Sequence, residues 1–171
     1  GRRGRCRLGD MALNRDDRAG RRRGARGTAV TPSPPRSLVD VVTSAAEHHG
    51  DAPAVVFPEA TITYTALVDI AGRMAAVLGA AGVVPGDPVA AYCDNGPTML
   101  ATWFGAATAG AVFVPVNPLL SGDPLRAVLD AAGATVVVVD PPHAAALDAV
   151  RGELSRRLQV LVGGPGVGRS S

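Results

Sequence analysis

Residues 109–118 read A-G-A-V-F-V-P-V-N-P, and this stretch decides the fold. Gly110 and Ala111 are small enough to let a helix end close against the next strand. The apolar V-F-V that follows suits a strand, and Pro115 is tolerated at a strand end but not in its middle. Asn117 with Pro118 then makes a turn. Upstream, Pro97 opens a run of helix formers to about Ala109, at a position where its missing N–H costs nothing. Helix, strand and turn therefore follow one another without a charged residue from Asn95 to Gly122. A run of that length could cross a bilayer. Gly105, Gly110, Pro115 and Asn117 interrupt it, so it reads as a buried helix followed by a buried parallel strand, with no stable membrane insertion.

The same alternation extends in both directions. Ser37 is placed to cap a helix whose apolar positions Leu38, Val41, Val42, Ala45 and Ala46 share a face and which ends at Gly50. AVVF and TIT flank a short turn and predict a β-hairpin. Thr63 caps the next helix, with Leu67, Ile70, Ala71, Met74, Val77 and Leu78 as its buried stripe, and AAGVVPGD stops it. PVAAYC is a strand before Pro97. After Asn117, Asp123 is expected to cap a helix through Leu125, Val128 and Leu129 to Gly133. TVVVVD is an apolar strand, Ala144 to Arg157 a helix and LQVLV the last strand. The fold class is thus α/β, a mostly parallel sheet with helices on both faces.

Charge divides the chain. Residues 1–36 hold eleven Arg against Asp10, Asp16 and Asp17, a net +8, while residues 37–171 hold six Arg against twelve acids, a net −6. The first segment has few apolar residues and a Pro-rich end, which predicts a disordered Arg/Pro-rich leader, with Met11 the first Met of the chain. It lacks interleaved aromatic residues on which bases could stack, so no nucleic-acid partner is expected. The acidic remainder gives no reason to expect one either. The N-terminus has no apolar stretch of the secretory kind, and Cys6 and Cys93 suggest neither a disulfide framework nor a metal site, so reduced thiols and a cytoplasmic location are expected. All seventeen basic side chains are Arg, and there is no Lys.

From about Ser37 to Val162 the chain resembles the N-terminal part of the adenylate-forming, AMP-dependent synthetases, in the acyl-CoA synthetase branch. The resemblance is carried by T-Y-x-x-L at Thr63, Tyr64 and Leu67, with G-V-x-x-G-D at Gly82, Val83, Gly86 and Asp87. It is carried also by PVAAYCDNGP, ending in Asn95 and Pro97, and above all by Ala109 to Pro118. Asn117 before Pro118 is more like the acyl-CoA branch, since amino-acid-activating domains commonly place Asp there. The resemblance implies that a carboxylic acid and Mg-ATP give an acyl-adenylate and pyrophosphate, after which coenzyme A displaces AMP, a chemistry of fatty acid metabolism. It also implies that the phosphate loop, the Mg-ATP segment, the ribose-binding Asp and the mobile catalytic Lys lie past this chain. Residues 37–162 then form a partial N-terminal domain whose partner is the missing C-terminal remainder. No position here takes a catalytic, cofactor-binding or metal-binding role, and ATP, Mg and coenzyme A are cofactors of the full-length family alone.

The remaining candidate sites favour structural roles. From Gly163 the tail reads G-x-x-x-x-G-R-S, phosphate-loop spacing with Arg169 where Lys should stand and no helix to follow. Residues 163–171 are therefore expected to be a Gly-rich truncated tail. Adjacent His48 and His49 point about 100° apart on a helix and cannot chelate together. His143 follows Pro141 and Pro142 with no nucleophile or acid pair to serve, and Asp140, at a strand end where ligands bind in such sheets, is expected to cap a helix. The functional expectation is an N-terminal fragment of an acyl-CoA synthetase, inactive alone. Two alternatives stay open: a non-catalytic α/β interaction module, and nucleic-acid binding through the Arg-rich arm.

Overall fold

The computed structural model of the chain describes residues 37–164. The Arg/Pro-rich segment 1–36, with Cys6, and the tail from 165 onward lie outside the described residues. Four parallel strands form the central sheet in the order β4-β3-β5-β6: β3 (Pro88–Tyr92), β4 (Val112–Pro115), β5 (Val136–Val139) and β6 (Gln159–Val162). A separate antiparallel hairpin joins β1 (Pro53–Val56) to β2 (Thr61–Thr63). The α/β reading therefore holds, as does each strand and helix in its expected order.

Strand alternation dictates the layers. Along β3, Ala90 and Tyr92 point to one face with Val137 and Val139 of β5, where α4 (Gly122–Ala132) supplies Leu125 and Leu129 and α5 (Ala144–Arg151) supplies Leu147 and Val150. Val89, Ala91 and Cys93 point to the other face with Val136 and Val138, against Leu78 of α2 (Tyr64–Ala80) and Ala106 of α3 (Pro97–Thr108). A third cluster lies outside that helical layer, where α1 (Leu38–His49) and the hairpin cover Leu67, Ile70, Ala101 and Phe104 with Leu38, Val42 and Ile62.

The three sequence signatures are structural devices. Thr63 Oγ1 accepts from Ala66 N at 3.2 Å and opens α2, while Leu67 is buried. Asp87 Oδ2 accepts from Val84 N at 3.0 Å and closes the turn that ends in β3. Gly110 has φ 70°, and a side chain there would meet Pro85 Cβ at 3.2 Å, while its carbonyl accepts from Gly86 N at 2.8 Å. Gly82–Asp87 and Ala109–Pro118 are thus the two halves of one junction. Pro115 ends edge strand β4, and Asn117 Oδ1 accepts from Leu119 N at 3.0 Å to form the expected turn.

Several boundaries differ from the sequence reading. The strand AVFVPV is ordered as β4 only from Val112 to Pro115, although Val116 beyond it is buried. The N-cap of α4 is Ser121, and Asp123 instead sits in the first turn, where it pairs with Arg126 at 3.1 Å. Val77 and Val128 are exposed, because their stripes are wider than the surfaces they meet. Helix α5 stops at Arg151, six residues short of Arg157. Its competitor is a tertiary bond: Asp130 Oδ1 on α4 accepts from Ser155 N at 2.9 Å and from Ser155 Oγ at 2.7 Å, which fixes a turn. Those bonds hold the exposed Asp130 carboxyl below its ordinary range. The uncharged run 95–122 is divided between α3 and β4, and no helix among the described residues is long and apolar enough to cross a membrane.

Helices α2 and α3 approach through Gly105, where an added Cβ would lie 2.5 Å from Met74 Cβ and 3.3 Å from Ala75 N. Neither atom is the free end of a flexible side chain, so the backbones must part. Gly105→Ala is expected to cost about 1–3 kcal/mol despite its gain in helix propensity. Thermal unfolding measures this, and pairing the change with Met74→Ala, which removes the Met74 Cγ that the new methyl would also meet, should restore part of the loss. An unchanged or raised midpoint for Gly105→Ala would contradict the close approach.

Candidate functional site

In a doubly wound sheet, ligands meet the carboxyl ends of the strands where successive crossovers leave in opposite directions. Here β3 leads through α3 to β4 on one side, while β5 leads through α5 to β6 on the other. The helices pack on opposite faces, so the carboxyl ends of β3 and β5 lie where such a sheet forms its crevice. Three groups occupy it. Asp94 follows β3, Asp140 follows β5, and His143 ends the short 3₁₀ turn Pro141–His143.

These groups hold one another. Asp140 Oδ2 accepts from the backbone N–H of Asp94 at 3.1 Å, which ties the two strand ends together. His143 Nε2 lies 3.0 Å from Asp94 Oδ1, close enough for an ion pair when the ring is protonated, although its N–H is not aligned as a hydrogen bond. Behind it the Tyr92 ring sits 5.3 Å away, tilted by 50°. Burial raises the Tyr92 phenol, whose O–H donates to Leu120 O at 2.5 Å, with Pro118 O at 3.3 Å, and so ties the Asn117–Pro118 turn to the crevice floor. Gly163 closes the far side: a side chain there would meet Thr98 Oγ1 at 2.9 Å and Asp140 Oδ1 at 3.0 Å.

Two sequence expectations are corrected. Asp140 stands at the N-cap position of the 3₁₀ turn but makes no side-chain cap bond, because its carboxylate is engaged by Asp94. His143 does have an acid beside it, Asp94, which lies 49 residues upstream at the end of another strand and is invisible to local reading. Asp94, Tyr92 and Thr98 were not singled out, although Asp94 carries the signal that marked Asp140: a carboxylate at the end of an apolar strand. His48 and His49 do not meet in a chelate. His48 Nδ1 donates to Ser44 O at 2.6 Å, and the His49 ring rests 5.1 Å from that of Tyr64. Gly163 and Gly164 follow β6, while Gly166, Gly168 and Arg169 lie outside the described residues.

The chemistry available in the crevice is limited. Cys93 is buried, and its Sγ donates to Val138 O at 3.3 Å. Burial first, then the charges of Asp140 and Asp94, push the thiol from an ordinary 9.0 up to about 12 despite a lowering bond from the Asp140 backbone. It is no nucleophile at neutral pH. Among the described residues no three His, Cys, Asp or Glu side chains converge as a metal site. Arg126 pairs with Asp123, Arg151 pairs with Asp148, and Arg157 lines a separate cleft of about 430 Å³ beside the start of β6. Among the described residues, the charged groups named there are the Asp94 and Asp140 carboxylates and the His143 ring, with no arginine to pair with a phosphate.

The AMP-binding enzyme family matches residues 42–168. Among curated relatives, the indoleacetate–CoA ligase of Aromatoleum aromaticum is 38% identical over 102 residues, 60% of this chain and 20% of the relative. Surfactin synthase subunit 1 of Bacillus subtilis is 30% identical over 121 residues, 71% of this chain and 3% of the relative. The solved N-terminal domain of FACL13 from Mycobacterium tuberculosis superposes with a TM-score of 0.69 at 28% identity, covering 77% of this chain and 34% of that domain. The chain thus spans a fifth or less of the length of these curated relatives and about a third of the solved domain.

Two outcomes follow from the crevice. Cys93 should resist thiol reagents in the native chain at pH 8 and react once it is unfolded. Because the folded thiol binds its proton more tightly than the unfolded one, stability should fall as pH rises from 9.0 toward 12. Rapid native labelling of Cys93 would contradict its burial. Tyr92→Phe should lower stability by about 1 kcal/mol in denaturant titrations by removing the donor to Leu120 O. No loss would mean that the turn is held without it.

Proposed function

The chain belongs to the AMP-binding enzyme family, and from that premise we propose that it is the N-terminal portion of an ATP-dependent acyl- or aryl-CoA ligase, catalytically inert by itself. The observation that carries the proposal is the match across residues 42–168, combined with strand ends whose charged groups, among the described residues named there, are Asp94, Asp140 and His143, with no Lys or Arg. Adenylation depends on positive groups aimed at charge that develops on phosphate. This sequence has no Lys, and its strand-end crevice presents Asp94 and Asp140. ATP, Mg and coenzyme A belong to the assembled enzyme, with their binding groups in the remainder of the domain. Asn117 before Pro118 favours an acyl or aryl acid over an amino acid as substrate, and a CoA ligase among the relatives supports the same branch. The role assigned to residues 37–164 is scaffolding: they set one wall of the domain and keep its carboxyl-edge crevice in register. A cytoplasmic location accords with coenzyme A chemistry and with a buried, reduced Cys93.

ATP–pyrophosphate exchange tests the reading. With a panel of fatty, aryl and indolyl acids, the chain alone should give exchange on the order of 10³-fold or more below a full-length relative, since loss of even one charge-stabilising donor costs about 10²–10³-fold. Fusion to the remainder of a relative's chain should restore it. Acid-dependent exchange by the chain alone would overturn the assignment of inactivity, and exchange only with amino acids would overturn the substrate branch.

A further inference from the structure

Gly72 stands in the middle of α2, where a glycine lowers helix stability through its backbone freedom. Nothing local requires it. Its φ is not positive, and a Cβ added there would meet no packing neighbour within 4 Å. Gly105, by contrast, is demanded by the approach of Met74. Gly72 instead borders a cavity of about 230 Å³ between α1, α2 and α3, walled by Val39 and Val42 of α1, Val68 and Ala71 of α2, and Phe104 of α3. The other described residues that line it, Thr43 and Thr108, are uncharged, and Thr108 Oγ1 is already engaged as a donor to Phe104 O at 2.8 Å. None of these walls comes from β4 or β6, the edge strands of the sheet.

We propose that this cavity is a binding site for a neutral, apolar ligand with a single aromatic ring, which lodges over Gly72 and seats α1 on α2 and α3. The lining selects that class. With no Lys, Arg, Asp or Glu among the described walls, a charged ligand would shed its water and gain no partner. An apolar cavity of about 150 Å³ is enough to take up benzene, so about 230 Å³ admits a ring with one or two small substituents. Phe104 gives that ring an aromatic neighbour. Occupancy also completes a weakly held element: α1 has no buried residue, and Leu38 and Val42 reach the third core cluster only partly buried. A larger side chain at position 72 would gain helix propensity and fill the space, so the glycine keeps the site open at a cost in stability. The site stands apart from the ligase reading, because a ligand without a carboxyl group has nothing to adenylate.

Toluene is the probe, titrated into the full chain and read by the fluorescence of Trp103, the chain's single Trp, whose ring lies 5.3 Å from that of Phe104. The signal should saturate and the thermal midpoint should rise with toluene, whereas benzoate at the same concentrations should do neither. Gly72→Ala should raise the midpoint of the unliganded chain by about 2–4 °C. Gly72→Leu should weaken toluene binding about tenfold or more by filling the cavity. Gly79→Leu is the control, since Gly79 lies on the same helix with open space beside it but does not line the cavity, and it should bind toluene as the parent does. The site is disproved if toluene gives no saturable change, if benzoate binds as well, if Gly72→Ala lowers the midpoint, or if Gly72→Leu binds as tightly as Gly79→Leu. A fluorescence change that follows chain concentration instead of toluene would also disprove it, by naming a second copy as the occupant.

Discussion

The architecture depends on burying β3 and β5 on both faces at once. Val89 to Tyr92 and Val136 to Val139 are 0–2% exposed, so neither strand has a side free for water. Each fully buried valine is worth roughly 1.5–3 kcal/mol relative to exposure, but only while both helical layers are present. That requirement forces the crossovers to alternate, with α2 and α3 on one face and α4 and α5 on the other. It also explains the alanines of β3. Ala90 and Ala91 leave room for neighbouring Val137, Leu125 and Ala106 to close over the strand, and larger side chains there would push the layers apart.

The crevice is a by-product of the same constraint. Helices that leave β3 and β5 for opposite faces cannot both cover the strand ends, so Asp94 and Asp140 come to lie at a gap. The gap is then stitched by short-range chemistry: Asp140 takes the Asp94 N–H, His143 approaches Asp94, and Tyr92 anchors the turn after β4. The carboxylates at this edge are thus turned toward neighbouring groups of the same edge.

Most of the fold was legible because it is written in local periodicity. The four-residue valine run of β5, the Thr63 and Ser37 caps and the Pro97 helix start each state their element within a few residues. What escaped was decided at a distance. The end of α5 is set by Asp130 on α4, twenty-five residues away, and nothing between Ala144 and Arg157 announces it. The crevice was half legible. Asp140 was marked by its place at a strand end, yet its role was misread as a cap because the competing donor, Asp94 N, belongs to a strand adjacent in space but not in sequence. His143 was set aside for the same reason.

The two edges of the sheet differ in how they are protected. A sheet that stood alone would need both edges protected, by proline, charge or a covering element. Here Pro115 protects one, and it does so inside A-G-A-V-F-V-P-V-N-P, the segment that most strongly ties the chain to its family. The other edge ends in Q-V-L-V with its outward positions held by two valines and no charge. The stretch Ala109–Pro118 has a structural role at each of three positions: Gly110 seats a turn, Pro115 seals an edge and Asn117 starts a loop. A family's sequence signature can thus be accounted for residue by residue by backbone geometry, since a positive φ, a missing N–H and a side chain that closes its own turn each call for one residue type.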